Sequence, residues 1–302
     1  AIGVSLLGGT GLGWCWLAAT AFSPWLTLAA RNLFWSPWLY YLPALATILY
    51  LLARQRTLRV CAATLLPLAF FLKYWGSGYR EFITISLIAA SMPVLAWLLN
   101  RARFGGLRQC LLRVGWVTIS SVVGMISALA VHAHWMSGSI STGLRQIWDE
   151  TVLRRTYGNP SNFIADYEAG LTSNPVFVVW QYIWPAWSTD LFAFSFDKNG
   201  SLFTIAVGPQ VFAAILTMAI LVPVWRFIIR DSVWVQDAVL VTLAVSSTVL
   251  WFVAAKGYAY VHTHLLFFVW YLFTIPVLLF TAGRFVTQQA RRYIPKNETH
   301  RA

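Results

Sequence analysis

Eight stretches of nearly unbroken apolar sequence run along this chain: Leu6 to Phe22, Trp38 to Ala53, Leu58 to Leu72, Phe82 to Leu99, Val114 to Trp135, Leu202 to Trp225, Val235 to Ala254 and His264 to Ala282. They leave few choices of fold. A backbone in hydrocarbon must satisfy its own hydrogen bonds, and a helix of about 20 mostly apolar residues does so across one bilayer. Composition agrees: of 302 residues, 59% are hydrophobic and 11% charged, whereas a soluble domain carries roughly a quarter charged. Soluble enzymes, DNA-binding modules and secreted disulfide scaffolds are excluded. The expected fold class is all-α, a polytopic integral membrane helical bundle with about eight transmembrane helices and one long extracytoplasmic loop.

A formal net charge of +12 would suggest a nucleic-acid partner in a soluble protein, but in a membrane protein the position of the basic residues decides. With the C-terminus placed on the cytoplasmic side, 14 of the 22 Lys and Arg residues fall inside against three acids, and eight fall outside against seven acids. The charge is therefore a topology signal, and no nucleic-acid partner is expected. A bacterial inner membrane suits this pattern. Cys15, Cys61 and Cys110 form no CxxC pair and read as small apolar side chains. The start at Ala1, with no basic segment before the first apolar run, suggests a processed or truncated chain.

Four parts follow: residues 1–135 with about five spans, an outer loop at 136–201, residues 202–283 with about three spans, and a basic tail at 284–302. The loop is too long for a passive connector. Within it, Leu144, Ile147, Trp148, Thr151 and Val152 recur at the helical period, giving an amphipathic helix over Ser141 to Tyr157 whose apolar stripe is expected on the membrane surface. Pro175 to Trp187 is apolar and tryptophan-rich but too short to span, so it is expected to be interfacial or re-entrant.

Two groups of residues in this chain could carry chemistry. Asp149, Glu150, Arg154 and Arg155 lie on the loop helix; one carboxylate could act as a general base while the arginines clamp a phosphate, or the set could be a salt-bridged exposed face with Glu150 and Arg154 at i, i+4. Lys256, Tyr258, Tyr260, His262 and His264 occupy the turn before the last span, where a cation, phenols and imidazoles could bind a phosphate or merely populate the membrane interface. His132/His134 and His262/His264 form two His-x-His pairs. Residues two apart point about 200° around a helix, so a metal at these four histidines is the least favoured reading and no cofactor is expected. Asp166 with Glu168, Asp190 and Asp197 are further carboxylates; Arg80 with Glu81 reads as a structural ion pair, and Lys73 as a side chain that snorkels outward.

A multi-span chain with carboxylates and arginines in one long outer loop and a cationic aromatic turn late in the sequence resembles the GT-C superfamily of membrane glycosyltransferases. The resemblance covers Val114 to Gly283. It implies a polyprenyl-phosphate-linked sugar donor used at the outer face, with Asp149, Glu150 or His262 deprotonating an acceptor hydroxyl, Arg154, Arg155 and Lys256 neutralising the lipid phosphate, and Tyr258, Tyr260 and His264 orienting the substrate. The family's usual acid in the first outer loop has no counterpart in Ser23 to Pro37; either it lies upstream of Ala1 or the chain is not such an enzyme. The related surface-polysaccharide polymerases and ligases use arginines and a histidine instead, which Arg154, Arg155 and His262 match. Two alternatives stand beside this reading: a noncatalytic subunit docked to a partner membrane protein, and a transporter or flippase for an amphipathic substrate. Membrane lipids are partners in every case.

Overall fold

The computed structural model describes residues 2–7, 10–26, 37–79, 81–184, 192–198, 201–263 and 268–293. Its helices begin with α1 (Ile2–Leu6), α2 (Thr10–Ala21), α3 (Pro37–Leu52), α4 (Arg56–Ser77), α5 (Phe82–Leu99), α6 (Arg101–Phe104), α7 (Leu107–Ser137), α8 (Ile140–Ile147), α9 (Leu153–Arg155) and α10 (Ala165–Thr172). They are followed by α11 (Pro175–Ile183), strands β1 (Phe192–Lys198) and β2 (Ser201–Val207), then α12 (Pro209–Ile228), α13 (Trp234–Ala254), α14 (Lys256–Val261), α15 (Val269–Leu272) and α16 (Thr274–Tyr293). Among the described residues, α4, α5, α7 and α13 are long and apolar enough to cross a membrane.

The packing is that of a membrane protein because its amphipathicity is reversed. Helix α7 turns Val117, Ser120, Ser121, Gly124 and Ala128 inward and leaves Leu111, Leu112, Ile119, Val122, Val123 and Ile126 exposed. In water that arrangement would waste the apolar surface; in lipid, small residues inside let backbones approach while large ones meet hydrocarbon. Gly124 marks the closest approach, since a Cβ there would lie 2.6 Å from the Phe70 Cβ and 2.7 Å from the Pro67 carbonyl oxygen on α4. Polar side chains add specific ties: the Tyr74 hydroxyl lies 2.9 Å from Ser86 and 3.0 Å from Ser121, joining α4, α5 and α7. Pro43, Pro67, Pro93 and Pro223 sit inside helices, as lipid-buried helices tolerate when neighbours satisfy the freed carbonyls.

The helices share a basic end. The Arg103 guanidinium donates to the Leu6 carbonyl, and Gln236 to that of Leu98 at 3.4 Å, gathering the ends of α1 and α5 and the start of α13. There Arg226, 1% exposed, lies 3.1 Å from Asp237, which is fully buried and also takes Arg284; Asp231 and Gln288 complete the set. Two arginines from α12 and α16 thus converge on one carboxylate of α13. The opposite end, the loop end, holds Ser77–Tyr79, Glu81, residues 137–172 and α14.

Several expectations change. The helix of the sixth apolar stretch begins at Pro209 and not Leu202, because Ser201–Val207 is a strand paired antiparallel with Phe192–Lys198 in register Lys198↔Ser201. An apolar run does not itself distinguish strand from helix; the alternating FAFSF and the Asn199-Gly200 pair are the hairpin signal, and this hairpin crosses the expected loop boundary at residue 201 and adds the one sheet among the described residues to an otherwise helical chain. The first expected span, Leu6 to Phe22, takes in the end of α1 and all of α2. The last consists of α15 and α16, broken at Phe273 and running on to Tyr293; His264 lies outside the described residues. Lys73 does not snorkel outward: it is fully buried, donates to the Gly78 carbonyl at 3.1 Å and stands 4.5 Å from the Tyr40 ring centre. Glu81 is fully buried too, at a left-handed φ of 55°, while Arg80 lies outside the described residues.

Two stability outcomes follow from this packing. Gly124→Leu should cost about 2–3 kcal/mol by wedging α4 from α7, read as a lower unfolding temperature in detergent, whereas Gly115→Leu, whose Cβ would meet open space, should cost nothing. Asp237→Asn, which leaves two arginines beside an uncharged amide, should cost about 3–5 kcal/mol in the same measurement.

Candidate functional site

At Gly138, φ 71°, the chain leaves α7 and doubles back as α8. The reversal is tight: a Cβ on Gly143 would sit 2.1 Å from the Ala133 carbonyl oxygen, so glycine is required. Ile147 is buried, while Leu144 and Trp148 are 40% and 56% exposed. Half of the expected apolar stripe therefore packs on the protein and half faces outward. The helix does not continue regularly. Trp148–Val152 form a π-helical turn before α9, and such turns cluster at functional sites because the extra residue re-aims the side chains around it.

The re-aiming is visible in the charges. In a regular helix Glu150 and Arg154 would face each other; here Glu150 accepts from Gln146 at 3.3 Å, and the Arg154 guanidinium lies 5.0 Å from the Tyr167 ring centre. The segment from Ile147 to Arg155 separates two recesses. The first, about 530 Å³, is lined by Asp149, Glu150, Leu153, Arg154, Asn159, Asn162 and Phe163. The second, about 460 Å³, is lined by Gly76, Ser77, Gly78, Tyr79, His132, Met136, Ile147, Thr151 and Arg155. Thus Asp149, Glu150 and Arg154 are brought together, and Arg155 is sent to the other side.

The turn that the sequence singled out lies behind α9. Helix α14 packs on α10 through glycines: a Cβ on Gly170 would meet the Gly257 carbonyl oxygen at 2.9 Å, and one on Gly257 the Arg154 carbonyl oxygen at 2.7 Å. Lys256, 8% exposed, donates to the Leu171 carbonyl at 2.5 Å and the Ser173 carbonyl at 3.0 Å, with its ammonium 4.9 Å from the Tyr157 ring centre. Its charge thus ties α14 to the end of α10. Tyr258 is buried, Tyr260 half-buried, and the Tyr182 hydroxyl donates to the Ala259 carbonyl at 2.6 Å.

A chain of contacts connects the groups. Arg154 covers Tyr167; the Tyr167 hydroxyl lies 3.4 Å from Nε2 of His262; the His262 ring lies 4.3 Å from that of Tyr258; and Arg155 lies 4.9 Å from the Tyr258 ring centre. Consecutive arginines are thereby held apart by a Tyr–His–Tyr bridge. Tyr79, Tyr157 and Tyr167 were not singled out in the sequence, and Thr151 only as part of the apolar stripe. Nothing in their local pattern marks them, since each gains its role from a partner at least 50 residues away or from the π turn.

The His132/His134 pair behaves as helical geometry requires. His132 is half-buried and His134 exposed. Burial pushes the Tyr79 phenol up to about 12, and its hydroxyl lies 3.1 Å from Nδ1 of His132. Among the described residues no three His, Cys, Asp or Glu side chains are grouped to hold a metal ion. Asp166 and Glu168 are exposed on α10. Asp190 lies outside the described residues, and Asp197 falls in β1. The chain matches no protein-family model, no curated protein and no solved structure.

Lys256→Met should leave two buried carbonyls unpaired and cost about 2–3 kcal/mol, visible as a lowered unfolding temperature in detergent.

Proposed function

We propose that the chain is a polytopic membrane glycosyltransferase-like protein, crossing the membrane about eight times with its basic end cytoplasmic and its loop end outside, that transfers a sugar from a polyprenyl-phosphate carrier at the outer face. A bacterial inner membrane is the setting. The observation that carries the reading is the recess of Asp149, Glu150, Arg154, Asn159, Asn162 and Phe163. Carboxylates and amides are the groups that hydrogen-bond sugar hydroxyls, an aromatic edge covers an apolar sugar face, and an arginine balances developing negative charge.

In the proposed step the acceptor hydroxyl gives its proton to Asp149 or Glu150 as its oxygen bonds to the anomeric carbon. The bond from that carbon to the phosphate oxygen breaks, and the lipid phosphate leaves with the electron pair, its charge met by arginine. His262 acts through its neighbours: held between Tyr167 and Tyr258, it positions Arg154 and Arg155. Tyr258 and Tyr260 shape the wall behind α9, and Lys256 holds that wall in place; His264 keeps its expected orienting role.

Transfer of radiolabelled sugar from a polyprenyl-phosphate donor tests this reading. Glu150→Gln, Asp149→Asn and Arg154→Ala should each remain in the membrane; the arginine variant and at least one carboxylate variant should lose about 100-fold or more in rate. Full activity in all three would overturn the proposal.

A further inference from the structure

At the basic end, the outward face of α7 carries a shallow recess of about 580 Å³, lined from Leu107 and Arg108 through Gly115 and Trp116 to Ile119. Gly115 opens its floor, since a Cβ there would meet nothing within 4 Å. Trp116 makes a wall: its indole N–H donates to the Ala63 carbonyl of α4 at 3.3 Å, which fixes the ring. Apart from Arg108 the lining is apolar. Arg108 is exposed, and among the described residues no hydrogen bond, ion pair or ring contact engages it. Its neighbours differ: Arg103 donates to the Leu6 carbonyl, Arg113 to that of Phe104, and Arg101 lies 4.4 Å from the Trp97 ring centre. The carboxylates described at this end, Asp231 and Asp237, are held by Arg226 and Arg284.

The length of α7 gives the depth of this recess in a bilayer. With 31 residues the helix is roughly 46 Å long, close to the thickness of a bilayer with both headgroup layers, about 40–45 Å. Hydrocarbon takes about 30 Å of that, so the first turn of α7, and Arg108 with it, lies among headgroups. From Leu111 to Ile119 the lining then descends roughly 12 Å toward the acyl chains. Trp135, 81% exposed near the other end of α7, falls at the opposite interface, where tryptophan is favoured. A cation at phosphate depth above an apolar trough is complementary to an anionic phospholipid. A second copy of the chain is not: copies related by an axis along the membrane normal would bring two Arg108 side chains together at one depth, and Gly115 is the one small residue of the lining on which helices could close in lipid.

We propose that the recess from Arg108 to Ile119 on α7 holds an anionic phospholipid of the leaflet at the basic end, its phosphate against Arg108 and an acyl chain over Gly115 beside Trp116. The site is independent of the sugar-transfer reading, whose residues lie at the loop end.

The full chain is reconstituted in nanodiscs of equimolar phosphatidylcholine and phosphatidylglycerol, released into mild detergent and read for retained lipid by native mass spectrometry. The wild type should retain phosphatidylglycerol in preference to phosphatidylcholine. Arg108→Gln should lower that preference about fivefold, the worth of one interfacial cation. Arg54→Gln, which removes an exposed charge at the same end but outside the lining, should leave it unchanged. Gly115→Leu, which fills the recess, should lower phosphatidylglycerol retention while its unfolding temperature stays that of the wild type. Unfolding temperatures show that the arginine variants are folded as well. Equal retention of the two lipids by the wild type overturns the proposal, and so does full retention in Gly115→Leu. Equal losses in Arg108→Gln and Arg54→Gln would assign the preference to the whole basic surface and overturn it too. A dimer that Gly115→Leu dissociates would give the recess to a second copy, with the same consequence.

Discussion

Helices in hydrocarbon gain little by hiding apolar surface from one another, and that constraint governs the rest of the molecule. What holds them is close backbone approach and the few polar groups that can find each other. Gly124 lets α7 lie against Pro67 and Phe70 of α4, and the hydroxyls of Tyr74, Ser86 and Ser121 meet where α4, α5 and α7 touch. Thr248 and Thr274 make the corresponding tie between α13 and α16, with the Thr274 hydroxyl donating to the Ala244 carbonyl. The large apolar side chains, which would form the core of a soluble protein, are left on the outside of α7.

Charge is used at the two ends in different ways. At the basic end, Asp237 is surrounded by arginines from two other helices, so three helices are fixed by one neutralised cluster. At the loop end, buried cations donate to backbone carbonyls: Lys73 to that of Gly78, Lys256 to those of Leu171 and Ser173.

The π turn at Trp148–Val152 is what separates the two recesses. Widening the helix by one residue there removes the alignment of Glu150 with Arg154 and lets adjacent arginines diverge, one to Tyr167 and one to Tyr258. His262 bridges those two tyrosines. A site with acids on one side and an arginine and a histidine on the other is thus produced by a local backbone irregularity, braced by α14 through the glycines at 170 and 257.

The sequence by itself determined that the chain is helical and apolar enough for a membrane, and it placed α3, α5 and α13 within one residue at their starts and ends, because a long apolar run between arginines has one low-energy backbone solution in lipid. It also marked Asp149, Glu150, Arg154, Arg155, Lys256, Tyr258 and His262 as the residues worth locating. The hairpin was written in FAFSF and Asn199-Gly200 but hidden by its apolarity, which continues into α12. Only the tertiary structure decided how the marked residues divide. Lys256 serves carbonyls rather than a recess, Arg154 and Arg155 part company, and Tyr79, Tyr157 and Tyr167 join them, because such contacts depend on which helix ends meet in space. Hydropathy records where a helix can lie; it carries no information about which neighbour it faces.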